Sequence, residues 1–179
     1  MTHSHSVSLV LTLLGPDRPG LVERLSQVLV ANHGNWVESR MAQLAGHFAG
    51  ILRVELPAER VSAFKAACQA LGTEGLQVLL VDADNPSAKA PSKRILRLEL
   101  LGHDRPGIVR EISQALARHD INVEELNTGV ESAPMSAEML FFAKARLAVP
   151  AELSMDGLAK LLEPIGNDLM VDITLVPFE

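Results

Sequence analysis

Leu9-Val-Leu-Thr-Leu-Leu-Gly-Pro-Asp-Arg-Pro-Gly20 returns later in the chain as Leu96-Arg-Leu-Glu-Leu-Leu-Gly-His-Asp-Arg-Pro-Gly107. The offset is 87 residues and holds without a gap as far as Glu38 and Glu125, with fifteen of thirty aligned pairs identical. A self-similar period of this length marks two copies of one small domain rather than a solenoid of short units. Each copy opens with an apolar strand, passes through a Gly-x-Asp-Arg-Pro-Gly turn and enters an amphipathic helix. The repeat divides the 179 residues into a first domain over 1–83, a linker over 84–93 and a second domain over 94–179. Domains of that size are marginal alone and gain from burying surface against a neighbour.

Composition narrows the function classes. Nearly half of the residues are apolar, as in a globular protein. The single cysteine, Cys68, cannot form an internal disulfide and fits a reducing cytoplasm. No basic stretch leads into an apolar segment at the N-terminus, and no apolar run reaches membrane-spanning length. A soluble, cytoplasmic protein without membrane contact is expected. The net charge is −6, with 7 Lys/Arg against 8 Asp/Glu in residues 1–90 and 9 against 14 in residues 91–179. Neither half has the clustered basic residues that neutralise phosphates. With no Tyr, one Trp and five Phe, a base-stacking platform is also disfavoured. An effect on gene expression would therefore run through another protein, not direct nucleic-acid binding.

Periodicity supplies the elements. In the first copy a strand is expected over 7–14. A helix opened by Pro19 follows, with Leu21, Val22, Leu25, Val28 and Leu29 on one face. Gly34 is the expected left-handed cap. Strands over 36–44 and 48–56 flank the turn at Ala45-Gly46. Pro57 starts a second helix bearing Val61, Phe64, Cys68 and Leu71 on one side, and a last strand covers 76–81. The second copy repeats this order with strand 95–101, helix 106–118, strands 121–130 and 138–147, helix 150–165 and strand 169–176. Pro57 and Pro150 match as helix starts, so six extra residues enter near 132–137. The expected class is α+β: two βαββαβ units, each a four-stranded antiparallel sheet with both helices on one face.

The repeated turn has chemical content. Gly15 and Gly102 permit a tight turn or a close approach. Asp17 and Asp104 can cap the following helix or accept from a ligand ammonium. Gly20 and Gly107 keep side chains away from a helix N-terminus, whose free amides and dipole favour an anion. Fifteen residues after each of these glycines stands an asparagine, Asn35 and Asn122. A βα turn and the start of the next strand can share one end of a sheet. Amide donors, a carboxylate and a side-chain amide gathered there would suit a zwitterion. The same residues also serve as ordinary caps and turns with no ligand, and spacing leaves both readings open.

At these residues the chain resembles tandem ACT domains, small regulatory modules with this βαββαβ fold and an Asp/Asn-Arg-Pro-Gly turn after the first strand. The likeness covers both halves and extends over Gly34-Asn-Trp-Val-Glu-Ser-Arg-Met-Ala-Gln-Leu-Ala-Gly-His-Phe-Ala-Gly50. Many such modules sense amino acids, held between the first βα turn and the start of the second strand, commonly where two modules meet. The resemblance implies ligand-binding roles for Asp17, Gly20, Leu21 and Asn35, and for Asp104, Gly107, Ile108 and Asn122. It also implies an amino-acid-responsive repressor of glycine-cleavage genes, with glycine or serine as effector and a DNA-binding transcription activator as protein partner. A homodimer is compatible with it. The alternatives are a ligand-free ACT interaction module, or a regulatory subunit of an amino-acid or one-carbon enzyme.

Other assignments are weaker. Residues 110–127 superficially resemble a helix-turn-helix, yet the would-be recognition helix is short and acidic. The six histidines lack zinc-ligand spacing and there is no cysteine pair. No phosphate-binding loop, nucleophile elbow or His-Glu metal motif is present. Neither a catalytic site nor a cofactor is expected.

Overall fold

The computed structural model describes residues 5–83, 93–133 and 138–178. The chain divides into two compact units, Met1–Ser87 and Ala88–Glu179. The first runs β1 (Ser6–Pro16), α1 (Leu21–Ala31), β2 (Asn35–Leu44), β3 (His47–Pro57), α2 (Val61–Ala70) and β4 (Gln77–Asp82). The second runs β5 (Lys93–His103), α3 (Ile108–Arg118), β6 (Asn122–Ser132), β7 (Met139–Pro150), α4 (Met155–Leu169) and β8 (Val171–Pro177). The sheets are antiparallel, in the order β2-β3-β1-β4 and β6-β7-β5-β8. This is the α+β, ferredoxin-like arrangement expected from the repeat.

Alternation along the central strands sets the core. Leu9, Leu11 and Leu13 of β1 and Leu52, Val54 and Leu56 of β3 point to one face. There they meet Leu21, Leu25 and Leu29 of α1 and Phe64 and Cys68 of α2. The second core repeats the scheme with Leu96, Leu98 and Leu100, the helix residues Ile108, Ile112 and Leu116, and Leu158 and Leu162 of α4. Both helices of a unit therefore cover the same sheet face, where period 2 in the strands meets period 3.6 in the helices.

Several local expectations need correction. Pro19 and Pro106 do not begin helices. Gly20 and Gly107 occupy the N-cap positions with φ of 91° and 101°, and no side chain caps either helix, so Asp17 and Asp104 are not caps. The left-handed residue after α1 is His33 (φ 57°), matched by Asp120 (φ 54°), not Gly34. Pro57 and Pro150 close β3 and β7 instead of opening helices. A 3₁₀ turn, Ala58–Arg60, precedes α2, while α4 is capped by Ser154, whose Oγ accepts from the Gly157 amide at 3.0 Å. In each case the strand continues to the proline because its pairing with the central strand outweighs the local helix-start signal. Ala45 (φ 50°) and Gly46 (φ 79°) form the two-residue turn between β2 and β3, whose double positive φ matches the twist of the strands. Lys93, expected in the linker, begins β5, and 84–92 lie outside the described residues. Of the six-residue hairpin extension, Ser132 ends β6 and the Ala133 amide donates to the Glu138 carbonyl at 2.8 Å, while 134–137 lie outside the described residues.

Candidate functional site

The turn after β1 is held from two sides. Its Asp17 amide donates to the Gly46 carbonyl at 2.9 Å, tying it to the β2–β3 hairpin. The Arg18 guanidinium donates to the Glu74 carbonyl, and Arg24 forms a bidentate pair with the Glu74 carboxylate at 2.8 and 3.1 Å. That pairing lowers the Glu74 pKa and raises that of Arg24, hydrogen bonding being the leading cause for both. Gly15 is explained here: a Cβ would stand 2.8 Å from the Gly75 carbonyl oxygen, so the close approach is to the chain itself.

The turn after β5 repeats part of this frame. The Asp104 amide donates to Met139 O at 3.0 Å and Arg105 to Asp168 O at 3.4 Å. Gly102 abuts β8, where a Cβ would meet Val171 Cγ1 at 2.4 Å. The carboxylate brace is lost, because the counterpart of Arg24 is Glu111, which lies 3.6 Å from Arg110. Sequence reasoning passed over Arg24 and Glu74. The charge reversal between positions 24 and 111 was the available signal.

Asp17, Gly20, Asp104 and Gly107 are exposed, whereas Leu21 and Ile108 are buried in their cores. The first-turn amides of α1 and α3 receive no side-chain cap, which leaves them available to an anion. Asn35 and Asn122 are also exposed, but at the other end of each sheet. Asn35 pairs with Glu55, which is opposite Ser8, while the turn follows Pro16, opposite His47. Eight residues of strand separate the two levels, roughly 26 Å at 3.3 Å per residue. In the second unit Asn122 is level with Ala148 and Ile95, again remote from Gly102 and His103. A unit therefore does not bring its own turn and asparagine together.

A concavity of about 460 Å³ lies on the open face of the second sheet. It is bordered by Glu99, Glu131 and Asp172 with Lys144 and Thr174, none of them among the expected site residues. Among the described residues, no group of three or more His, Cys, Asp or Glu side chains could hold a metal ion. No helix among them is long and apolar enough to cross a membrane.

Comparison with known proteins assigns the modules. The ACT domain matches residues 8–78 and again residues 96–152. The glycine cleavage system transcriptional repressor of Escherichia coli (strain K12) is 23% identical over 126 residues, 70% of this chain and 66% of the relative. The match thus spans just under two thirds of the relative's length. The repressor of the same description from Shigella flexneri shows the same figures. Among solved structures, a protein of unknown function from Galdieria sulphuraria is 31% identical, with a TM-score of 0.83 over 98% of this chain and all of its own. A structure provisionally assigned as a glycine cleavage system transcriptional repressor shares the fold, with a TM-score of 0.72 at 17% identity over 98% of this chain and 99% of its own. The repeat first seen in the sequence is thus a pair of ACT domains, and the chain belongs to the ACT-domain family as a tandem member resembling glycine cleavage system transcriptional repressors.

Proposed function

We propose that this chain is an amino-acid-responsive, non-catalytic regulator that represses glycine-cleavage genes by contacting a DNA-binding activator, with glycine or serine as effector. The observation that carries the proposal is the pairing of two ACT domains with likeness to a glycine cleavage repressor over 70% of the chain. The acidic balance supports action through protein contact rather than on DNA. The uncapped amides at Gly20 and Gly107 suit a carboxylate, and the side-chain amides of Asn35 and Asn122 can donate and accept. Regulation would arise from the difference between the effector's affinities for two module arrangements.

The test is thermal unfolding of the full chain with each common amino acid at constant ionic strength. An effector at a hundred times its dissociation constant should add about 2.7 kcal/mol, visible as a rise of several degrees. The rise should be selective for glycine or serine and be lost in the folded double variant Asn35→Ala, Asn122→Ala. An unchanged response in that variant would reject this placement. A specific mobility shift of DNA by the protein alone would overturn the partner-mediated reading.

A ligand-free interaction module is favoured by one observation. The first turn is braced within its own unit, the Asp17 amide on the Gly46 carbonyl and the Arg18 guanidinium on that of Glu74. That reading predicts no rise with any amino acid.

A further inference from the structure

The two units end their sheets on equivalent edge strands, β4 in the first and β8 in the second. Gln77 of β4 lies beside Leu14 and Asp172 of β8 beside Leu101, and the 87-residue offset matches Leu14 with Leu101. The helices packed beside these edges diverge in step. Phe64 and Cys68 begin the buried face of α2 as Leu158 and Leu162 begin that of α4. The next residue is Gln69 in the first helix and Glu163 in the second. Two amides along one edge have thus become two carboxylates along the other.

Beside β8 the change comes with a groove. About 210 Å³ of space lies between α4 and the edge strand, bordered by Ala159, Glu163, Gly166, Asn167, Asp172 and Ile173. Gly166 sets how closely the helix approaches the strand, because a Cβ there would stand 3.1 Å from the Val171 carbonyl oxygen. Asp172 also borders the concavity on the open sheet face, with Glu99 and Glu131 against the single cation Lys144. Carboxylates therefore flank β8 on both sides. Among the described residues, none of Glu99, Glu131, Glu163 and Asp172 is held in an ion pair. Among them too, β8 is bonded to β5 alone, and an edge strand presents a row of unpaired amides and carbonyls.

Such an edge selects its guest by backbone and by charge. Extended backbone satisfies the free ladder groups, and its alternating side chains reach the groove on one side and the open face on the other. On both sides the charge that complements the wall is positive. Ala159 and Ile173 offer carbon to the stem of a long cationic side chain, whose head can then meet Glu163. We infer that β8 is a docking edge for an extended, lysine- or arginine-bearing segment of a protein partner, which adds to the second sheet as a fifth strand. The inference rests on the partner-mediated reading above, since a DNA-binding activator carries basic segments for phosphate. The first unit, with Gln69 and Gln77 at the matching places, does not share this surface.

Fluorescence anisotropy of a short labelled peptide of alternating lysine and valine, titrated with the full chain, tests this. The wild type should bind it, and the double variant Glu163→Gln, Asp172→Asn should bind about tenfold more weakly. A control with the same change of charge elsewhere, Glu23→Gln with Glu152→Gln, should bind as the wild type does. Replacing lysine by glutamate in the peptide should abolish binding, and so should two prolines, which cannot join a strand ladder. Hydrogen exchange should slow in β8 when the peptide is present. No binding to the wild type would overturn the docking edge and leave the carboxylates as guards against strand pairing. Equal weakening in the control variant, or equal binding of the proline peptide, would overturn it as well, since either marks unspecific attraction between charges. The glycine and serine responses of the same variants report separately on amino-acid sensing, because the substituted residues lie outside the turns and the asparagines.

Discussion

A methyl group added to Gly34 would lie 2.2 Å from Leu29 Cδ1, a side chain held in the first core. One added to Gly20 would meet nothing within 4 Å, yet Gly20 has φ 91°. The two glycines thus exist for different reasons, packing at one and backbone conformation at the other. Gly34→Ala should lose about 1–3 kcal/mol by overpacking, and Gly20→Ala about 1 kcal/mol by left-handed strain. Urea denaturation of both variants checks the order. The Arg24–Glu74 pair predicts a pH effect. Because its carboxylate pKa is depressed in the folded state, the pair's stabilisation is present above the ordinary Glu value of 4.5 and lost as pH falls through the folded value. Glu74→Gln should therefore lower stability slightly at neutral pH, both partners being exposed, and flatten the acid limb below about pH 4.5 by the same small amount. Stability followed from pH 3 to 7 in low and high salt reads this directly.

At the scale of elements, α4 departs most from its counterpart. It has fifteen residues against ten in α2 and carries Pro164 inside. A proline there removes one backbone donor and crowds the preceding turn. The helix persists because Leu158, Leu162 and Leu169 bury one face against the second core, so packing outweighs propensity. Pro164→Ala should stabilise the second unit by about 1–3 kcal/mol, measured by urea unfolding; a destabilised variant would show that the proline ring contributes packing. In α2 and the 3₁₀ turn that follows it, by contrast, the expected face was legible: Phe64, Cys68 and Leu71 are fully buried and Val61 is partly buried. Burial pushes the Cys68 thiol up to about 11, which marks it as a core residue rather than a reactive one.

At the scale of the whole molecule, the copies share a core design and differ on their open sheet faces. The first carries Val10, Ile51, Leu79 and Val81, with Leu79 65% exposed. The matching positions of the second are Arg97, Lys144, Thr174 and Val176. There Phe178 stacks under two guanidiniums, 5.6 Å from Arg97 and 4.8 Å from Arg146, an arrangement favoured by the ring quadrupole. The excess negative charge of residues 91–179 belongs to the same divergence. Duplication therefore preserved what folding needs, the alternating core leucines and the glycine turn, and left the surfaces free to specialise. The effector titrations probe that specialisation from the ligand side.

Duplication and element order were determined by the sequence alone, because periodicity and turn chemistry are local and each copy states them independently; of the face expected for α1, Leu21, Leu25 and Leu29 are buried while Val22 is 47% exposed. The turn glycines were legible as a motif, but the backbone reason for Gly20 and Gly107 was not: both stand at positive φ, whereas the left-handed residue was expected at Gly34. Where the asparagines lie was decided only by the tertiary structure. α1 runs back along the sheet for eleven residues, about 16 Å at 1.5 Å per residue, before β2 begins. That return carries Asn35 to the end of the sheet opposite the turn, although only fifteen residues separate it from Gly20.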